Sequence, residues 1–340
     1  ISPKLINKFI SNSDNKILFR VISFDLPGHG KSSHSLVGYY STIMYITTII
    51  RIINKLKLDS LHFMSHSLSA SMLPYILRII EEKGSNLFHV KSLICFDQFG
   101  ATTPTVRMER VHPKLLLPTY EEEFQQNIED ELNKQNDQSV GNTKMIPKLY
   151  DSIDELVSSR MWVVSSVYPG TQSIDQHSAR LILQRNVGKI YVIERDSTKD
   201  NKRKKVLKYY LRIDPLLKNG KANSLEYGLP LHVPEMVDQL LNKTTVPMLA
   251  IFGEKGWPNL DVIAKMTKNI NYLDVKYVKG SHHVHMDDPD VCLKHVIPFI
   301  YDAIKKYDIK YNNERSNKEI QMQVDKHFHL HKQMGLKSKL

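Results

Sequence analysis

Short apolar runs alternate with longer stretches of helical periodicity along most of the chain. Apolar runs that stand between turn residues predict buried strands, here at 20–25, 61–64, 92–97, 246–252 and 275–278. Apolar residues at helical spacing predict helices between these runs, at 36–57 and from just after Ser67 to near Gly84. Strands that alternate with helices predict an α/β fold with a mainly parallel sheet.

Residues 100–240 interrupt this alternation and predict an inserted, mostly helical cap. Charged stretches with helical spacing lie at 120–136, 150–160 and 178–184, whereas a single run, 189–193, is typical of a strand. The basic run 199–205 is expected to be a solvated loop. The predicted organisation is a first core part at 1–99, the cap at 100–240, a second core part at 241–304 and a basic flexible tail at 305–340.

A serine at the junction of a predicted strand and helix is the first candidate for chemistry. Residues 65–69 read Ser-His-Ser-Leu-Ser, with Ser67 at the centre. A serine on such a sharp turn exposes its hydroxyl above the sheet, and the residues two positions away must be small because strand and helix approach closely there. Serine replaces both glycines of the usual G-x-S-x-G pattern, which leaves the turn feasible but more crowded. An N-cap serine that only opens a helix is the alternative.

A second motif favours the catalytic interpretation. Residues 24–33 read Phe-Asp-Leu-Pro-Gly-His-Gly-Lys-Ser-Ser and precede the serine turn by one helix. They resemble the D-x-P-G-x-G-x-S signature of the α/β-hydrolase superfamily, whose glycines permit a tight turn. A generic strand-to-helix turn would not require this combination of residues.

A third motif supplies a base. Residues 280–289 follow the last predicted strand and resemble the superfamily's terminal G-x-H…P turn, which delivers the catalytic imidazole. This match assigns the base to His282, with His283 and His285 as competitors. Three close histidines could instead indicate a metal site, but no carboxylate or cysteine cluster completes one.

The catalytic acid is where the chain departs from the superfamily pattern. Most relatives carry an aspartate just after the strand that ends here at Lys255, and the matching residue is Gly256. The candidates are Asp97, at the end of the third predicted strand, and Glu254. Asp97 could reach the imidazole from the neighbouring strand end, or it could be a structural residue that caps the next turn.

These motifs, together with several cap segments, resemble the serine hydrolase-like proteins, a family of animal α/β-hydrolases. The resemblance runs from about residue 5 to 303 and is carried by 21–33, 92–97, 178–185, 193–196 and 279–289. It implies an α/β-hydrolase fold in which Ser67 attacks an acyl carbonyl and His282 takes and returns the proton. The backbone N–H of Leu68 would then stabilise the oxyanion. The implied substrate is a small carboxyl ester or thioester, with no cofactor and no metal.

A catalytically degenerate hydrolase fold that binds a ligand or a protein is the competing hypothesis. It is favoured by the two replaced glycines, by Gly256 and by the front of the chain. The family begins with a β-hairpin and a strand that ends in His-Gly-Trp, a tripeptide absent here, and residues 4–11 look like the helix that follows it. We therefore expect an N-terminally incomplete sequence. It would lack a central strand and one oxyanion donor, a loss of ~10²–10³ in rate.

Composition narrows the classes of partner. The chain is 41% hydrophobic and 24% charged, and its most apolar stretch, 39–53, is too short and too polar to span a bilayer. The net charge of +11 raises nucleic acid as a partner, but residues 305–340 alone carry an excess of five positive charges. The run 199–205 has no interleaved aromatic residues for base stacking, so we expect no nucleic-acid partner. Cys95 and Cys292 lie in apolar surroundings and predict buried free thiols.

The chain ends in Ser338-Lys339-Leu340, the tripeptide that the peroxisomal import receptor reads from a free C-terminus. We expect this receptor as a partner, and localisation to the peroxisome and also to the cytoplasm, where matrix proteins fold. A fluorescent reporter that carries residues 329–340 should collect in peroxisomes, whereas the same reporter without Leu340 should stay diffuse. A diffuse signal from the intact tail would contradict the prediction.

Overall fold

The computed structural model describes residues 20–34, 40, 42–83, 87–100, 147–167, 173–195, 203–214, 237, 241–256 and 260–306. The strands in these ranges are β1 Ser60–His66, β2 His89–Phe96, β3 Val187–Arg195, β4 Arg203–Leu211, β5 Met248–Lys255 and β6 Leu273–Ser281. The helices are α1 Thr42–Lys55, α2 Leu68–Lys83, α3 Ile153–Val167, α4 Gln176–Leu183, α5 Leu260–Thr267, α6 Val284–Asp287 and α7 at 289–306.

A four-stranded parallel sheet in the order β1–β2–β5–β6 forms the centre of the described structure. Residues of β2 alternate between the two hydrophobic cores: Leu93 and Cys95 face the core that contains α1, α2 and α5. Ile94 and Phe96 face the core that contains α7. A strand buried on both faces has a continuous apolar run in its sequence, and the runs at 92–97 and 246–252 are of this kind.

The predicted α/β fold with a mainly parallel sheet is confirmed, but the first predicted strand, at 20–25, is wrong. Residues 20–26 form no strand, and Val21, Ile22 and Phe24 are 46%, 38% and 37% exposed. Within the described residues β1 pairs on one side only, with β2. An apolar segment with no neighbouring backbone to pair with leaves its N–H and C=O groups to water, so it does not become a strand.

The described part of the cap contains more β structure than predicted. β3 and β4 form an antiparallel hairpin, and Arg203, Lys204 and Lys205 lie in β4 rather than in a loop. Two predicted cap helices are confirmed with shifted bounds, as α3 and α4. The predictions for 4–11, 120–136 and the tail beyond 306 lie outside the described residues.

Cys95 and Cys292 are buried and free, as predicted, and burial raises the pKa of each thiol to about 12. Among the helices in the described ranges, none is long and apolar enough to cross a bilayer.

The glycine-rich turn at 25–33 is hydrogen-bonded to the residues that flank the cap hairpin, Arg185 before β3 and Arg212 after β4. Gly30 has φ +55°, and its N–H donates to the carbonyl of Arg212 at 2.8 Å. The carboxylate of Asp25 accepts from the backbone N–H of Lys31 at 3.0 Å and from the guanidinium of Arg185 at 3.1 Å. A Cβ at position 30 would lie 2.5 Å from Oδ2 of Asp25. Glycine is therefore required both by backbone conformation and by space.

The substitution Gly30→Ala is expected to lower the free energy of unfolding by about 1–3 kcal/mol, because it adds left-handed strain and displaces Asp25. Urea denaturation measures this change. Lys31→Ala, at the exposed neighbouring position, is the control and should change stability little. Equal effects from the two variants would show that the turn does not hold Gly30 as described.

Candidate active site

Ser67 is the single residue between β1 and α2, and it adopts the strained turn that the sequence predicts. Its φ is +54°, in the left-handed region that non-glycine residues rarely occupy. Its N–H donates to the carbonyl of Phe96 at 3.2 Å, and its carbonyl accepts from the N–H of Ala70 at 2.8 Å. These hydrogen bonds to β2 and to the first turn of α2 hold the strained backbone in place.

The two serines that replace glycine in this turn are accommodated by hydrogen bonds. Ser65 is buried, and its hydroxyl donates to the carbonyl of Ile94 on β2 at 3.2 Å. The hydroxyl of Ser69 donates to the carbonyl of His66 at 2.7 Å and accepts from the N–H of the same residue at 3.1 Å. The crowding expected from the sequence is thus offset by polar contacts that glycine could not make.

The structure brings Ser67, His282 and Asp97 into one hydrogen-bonded chain. Nε2 of His282 lies 2.9 Å from Oγ of Ser67, and Nδ1 lies 2.7 Å from Oδ2 of Asp97. His282 follows directly on β6, and Asp97 follows directly on β2, so parallel strands deliver both side chains to the same edge of the sheet. With its proton on Nδ1, the imidazole donates to Asp97 and accepts from the Ser67 hydroxyl.

Gly256 provides the space in which Asp97 lies. Asp97 is fully buried, has φ +47°, and accepts at Oδ1 from the N–H of Gly253 at 2.9 Å. A Cβ at position 256 would lie 1.8 Å from that same Oδ1. The other candidate acid, Glu254, is exposed. The carboxylate next to His282 therefore follows β2, whereas in most relatives it follows the strand that corresponds to β5. At that usual position this chain has Gly256, which has no side chain.

Three further imidazoles, those of His66, His283 and His285, surround His282. Nε2 of His66 donates to the carbonyl of His282 at 2.8 Å, and this ring lies 4.2 Å from the ring of His285. Burial, reinforced by the nearby histidines, lowers the pKa of His66 well below its usual value; burial is also the main cause of the low pKa of His285. Burial, with the charges of His282 and Arg160, lowers the pKa of His283 to about 3. These shifts favour the uncharged form of all three rings at pH 7.

This cluster is not arranged as a metal centre. Among the described residues, no group of three or more His, Cys, Asp or Glu side chains could hold a metal ion. His283 and His285 were the competitors for the role of base, and the ring that contacts Ser67 is that of His282.

Leu68, the predicted oxyanion donor, is the first residue of α2. Its N–H has no acceptor within the helix and lies at the positive end of the helix dipole, where it can bind a developing negative charge. No second donor is identified within the described part of the chain.

Sequence reasoning missed two contributions to the site. His66 connects the serine turn to the carbonyl of His282. Gly256, which replaces the acid of the usual pattern, makes room for Asp97. The role of Gly256 has a signal in the sequence, namely a glycine at the usual acid position together with an aspartate at the end of the adjacent strand. The role of His66 has no such signal, because it depends on side-chain orientation.

The substitution Gly256→Ala is expected to break the hydrogen bond between Asp97 and His282, since the new Cβ would overlap the carboxylate. Proton NMR of the far-downfield Nδ1–H resonance of His282 measures this contact without requiring any activity. The resonance should disappear in Gly256→Ala and persist in the control Glu254→Ala. Its persistence in Gly256→Ala would contradict the geometry described.

Comparisons with known proteins agree with this architecture. The sequence model of the family described as "alpha/beta hydrolase fold" matches residues 6–289. A Drosophila melanogaster protein named "Probable serine hydrolase" is 25% identical over 286 residues, covering 83% of this chain and 73% of that protein.

Two solved structures share the fold at lower identity. One, from a study of carboxylesterases of Nitrososphaera gargenis, is 13% identical with a TM-score of 0.51 and covers 89% of this chain and 87% of its own. The other, a hypothetical protein from Pseudomonas aeruginosa PAO1, is 18% identical with a TM-score of 0.51 and covers 82% and 80%. Because the family match spans most of the sequence, the chain belongs to the alpha/beta hydrolase fold family.

Proposed function

We propose that this protein is a serine hydrolase that cleaves a carboxyl ester or thioester through an acyl-enzyme on Ser67. The observation that supports this most strongly is the hydrogen-bonded chain from Ser67 through His282 to the buried Asp97. The name of the Drosophila relative points to the same class of enzyme. The C-terminal tripeptide makes the peroxisome its proposed compartment.

In the first step Oγ of Ser67 attacks the acyl carbonyl while Nε2 of His282 takes the hydroxyl proton. The carbonyl oxygen gains negative charge, which the N–H of Leu68 stabilises. Asp97 holds the imidazole in the tautomer that can accept this proton and stabilises the imidazolium that forms. The imidazolium then returns the proton to the leaving alcohol or thiol, and the acyl group stays on Ser67.

In the second step a water molecule attacks the acyl-enzyme. His282 takes a proton from the water and returns it to Oγ of Ser67 as the acid leaves. Asp97 keeps its position throughout, because its second oxygen is held by the N–H of Gly253.

Selectivity in this proposal comes from the cap. The hydroxyl of Ser281, next to His282, donates to the carbonyl of Ser173 at 2.7 Å. The N–H of Asp175 donates to the carboxylate of Asp287 at 3.3 Å. The segment that opens α4 therefore lies against the turn that carries the base, where it can limit the size of the acyl group.

The competing hypothesis, a degenerate fold that only binds ligands, has less support from the site geometry than from the sequence. In the sequence it is favoured by the serines at positions 65 and 69 and by the absence of an acid at Gly256. Hydrogen bonds accommodate the serines, and Asp97 lies in the space that Gly256 leaves. Both features are compatible with an active enzyme.

A fluorophosphonate probe tests the proposal directly. The full chain should be labelled on Ser67, and Ser67→Ala should abolish labelling. His282→Ala and Asp97→Asn should slow labelling by about 10²–10⁴-fold, because the serine loses its base or the base loses its orientation.

Ser71→Ala is the matched control, since this serine lies in the first turn of α2 and its hydroxyl donates to the carbonyl of Leu68. It should be labelled at the rate of the unmodified protein. Absence of labelling in the unmodified chain would support the binding module instead. Labelling that survives Ser67→Ala would exclude Ser67 as the nucleophile.

A further inference from the structure

A positive charge lies on the buried stripe of cap helix α3. Leu156 and Val157 on this stripe are buried at 1% and 0% exposure, and Met161 and Val164 pack against the same cap core. Arg160 follows Leu156 and Val157 by four and three residues, so it lies on the same face of the helix. Arginine at such a position carries its charge into apolar surroundings, which is costly unless the charge is paired.

Among the described residues, no carboxylate is paired with Arg160. Its Nε is buried without a hydrogen-bond partner, and burial lowers the pKa of the guanidinium. Other arginines of the cap differ, because Arg180 is paired with Asp154 and Arg185 with Asp25. An arginine that only stabilised the cap would be expected to have a similar carboxylate partner. The buried Nε without a partner instead suggests a site that a ligand completes.

The cap contacts connect helix α3, which carries Arg160, to the turn that carries the candidate base. α3 packs against α4 through the cap core, and the segment before α4 is bonded to the turn after β6 by Ser281 and Asp287. Arg160 contributes, after burial and His282, to the lowered pKa of His283, the residue that follows His282 in that turn.

His283 offers a second nitrogen with no partner. Its Nδ1 is buried and makes no hydrogen bond, although its ring lies 5.1 Å from the ring of His282. The mechanism uses neither His283 nor Arg160. Two buried nitrogens without partners, one of them in the residue that follows the candidate base, are unusual, because buried polar groups nearly always have partners.

We propose that Arg160 and His283 form a subsite for an anionic oxygen group, a carboxylate or a phosphate, carried by the substrate of this hydrolase. The guanidinium presents paired N–H donors that match the oxygens of either group. The neutral tautomer of His283 that carries its proton on Nδ1 adds a third donor. This inference rests on the proposed function, since the anion is part of the molecule whose acyl carbonyl meets Ser67. The substrate class is thus narrowed to esters or thioesters with one anionic end.

Two matched substrate pairs test the subsite in the full chain. The first pair compares 4-nitrophenyl hemisuccinate, which carries an acyl-side carboxylate, with neutral 4-nitrophenyl butyrate. The second compares butyryl-coenzyme A, which carries phosphates on the leaving group, with the neutral butyryl thioester of N-acetylcysteamine. One anionic substrate should be preferred in kcat/KM by roughly 10-fold or more, and the pair that shows the preference identifies the anion.

The substitution Arg160→Met should lower kcat/KM for the preferred anionic substrate by roughly 10–100-fold and leave the neutral partner within about threefold. Arg180→Met is the control, since it removes an exposed, paired arginine of the same cap and should leave the preference intact. No preference in either pair, or an equal loss on neutral and anionic substrates in Arg160→Met, would overturn the subsite.

A binding measurement separates failure of the subsite from failure of the proposed function. Succinamate and free coenzyme A, which are not hydrolysed at an ester bond, supply the two anions without any turnover. One of them should raise the melting temperature of the unmodified protein but not that of Arg160→Met. A shift in melting temperature without labelling of Ser67 would support the subsite and contradict the proposed hydrolase function. Labelling of Ser67 without a shift from either ligand would support the hydrolase function and contradict the subsite.

Discussion

The carboxylate of Asp97 and a side chain at position 256 cannot occupy the same space, and the site depends on this exclusion. With glycine at 256, the carboxylate lies between the ends of β2 and β5, where it accepts one hydrogen bond from the N–H of Gly253 and another from the imidazole of His282. The first bond fixes the acid to β5, and the second fixes the imidazole that follows β6. One buried group therefore aligns three neighbouring strand ends, and the distance from His282 to Ser67 on the fourth follows from it.

The parallel sheet makes this alignment possible because it brings the carboxyl ends of its strands to one edge. Two residues at that edge, Ser67 and Asp97, adopt positive φ angles of +54° and +47° directly after β1 and β2. Each turns its side chain toward His282 rather than continuing along the strand. Strained backbone of this kind persists only where surrounding contacts hold it. Here the contacts are backbone hydrogen bonds from Ser67 to Phe96 and from Asp97 to Ile251.

Sequence reasoning succeeded where local pattern and tertiary structure agree. β2 and β5 are buried on both faces, so their apolar runs were sufficient to predict both strands. The motifs around Ser67 and His282 contain the residues that form their turns, so these two positions could also be predicted. It failed where a segment depends on its neighbours. The run at 20–25 has β propensity but no adjacent strand to pair with in the described sheet.

The loop predicted for the basic residues of β4 is wrong for the opposite reason. Neighbouring residues stabilise this strand, although its own positive charges disfavour it. Lys208 is paired with Asp151 and Glu194, and Lys205 lies 4.6 Å from the ring centroid of Tyr191 on the paired strand. The acid stayed open between Asp97 and Glu254 for a related reason, because the choice depends on which carboxylate contacts His282. Gly256 together with an aspartate at the adjacent strand end is the pattern that favours Asp97.

The cluster of neutral histidines gives the proposed mechanism a further physical basis. The imidazoles of four histidines lie together, those of His66, His282, His283 and His285. A proton taken from Ser67 could not be donated to the leaving group if it moved from His282 to another ring. Burial keeps the pKa of His283 at about 3 and that of His66 well below its usual value. Of the four rings, His282 is the one hydrogen-bonded to a buried carboxylate. The burial that makes the other three rings poor bases therefore disfavours transfer of the proton away from the ring that contacts the serine.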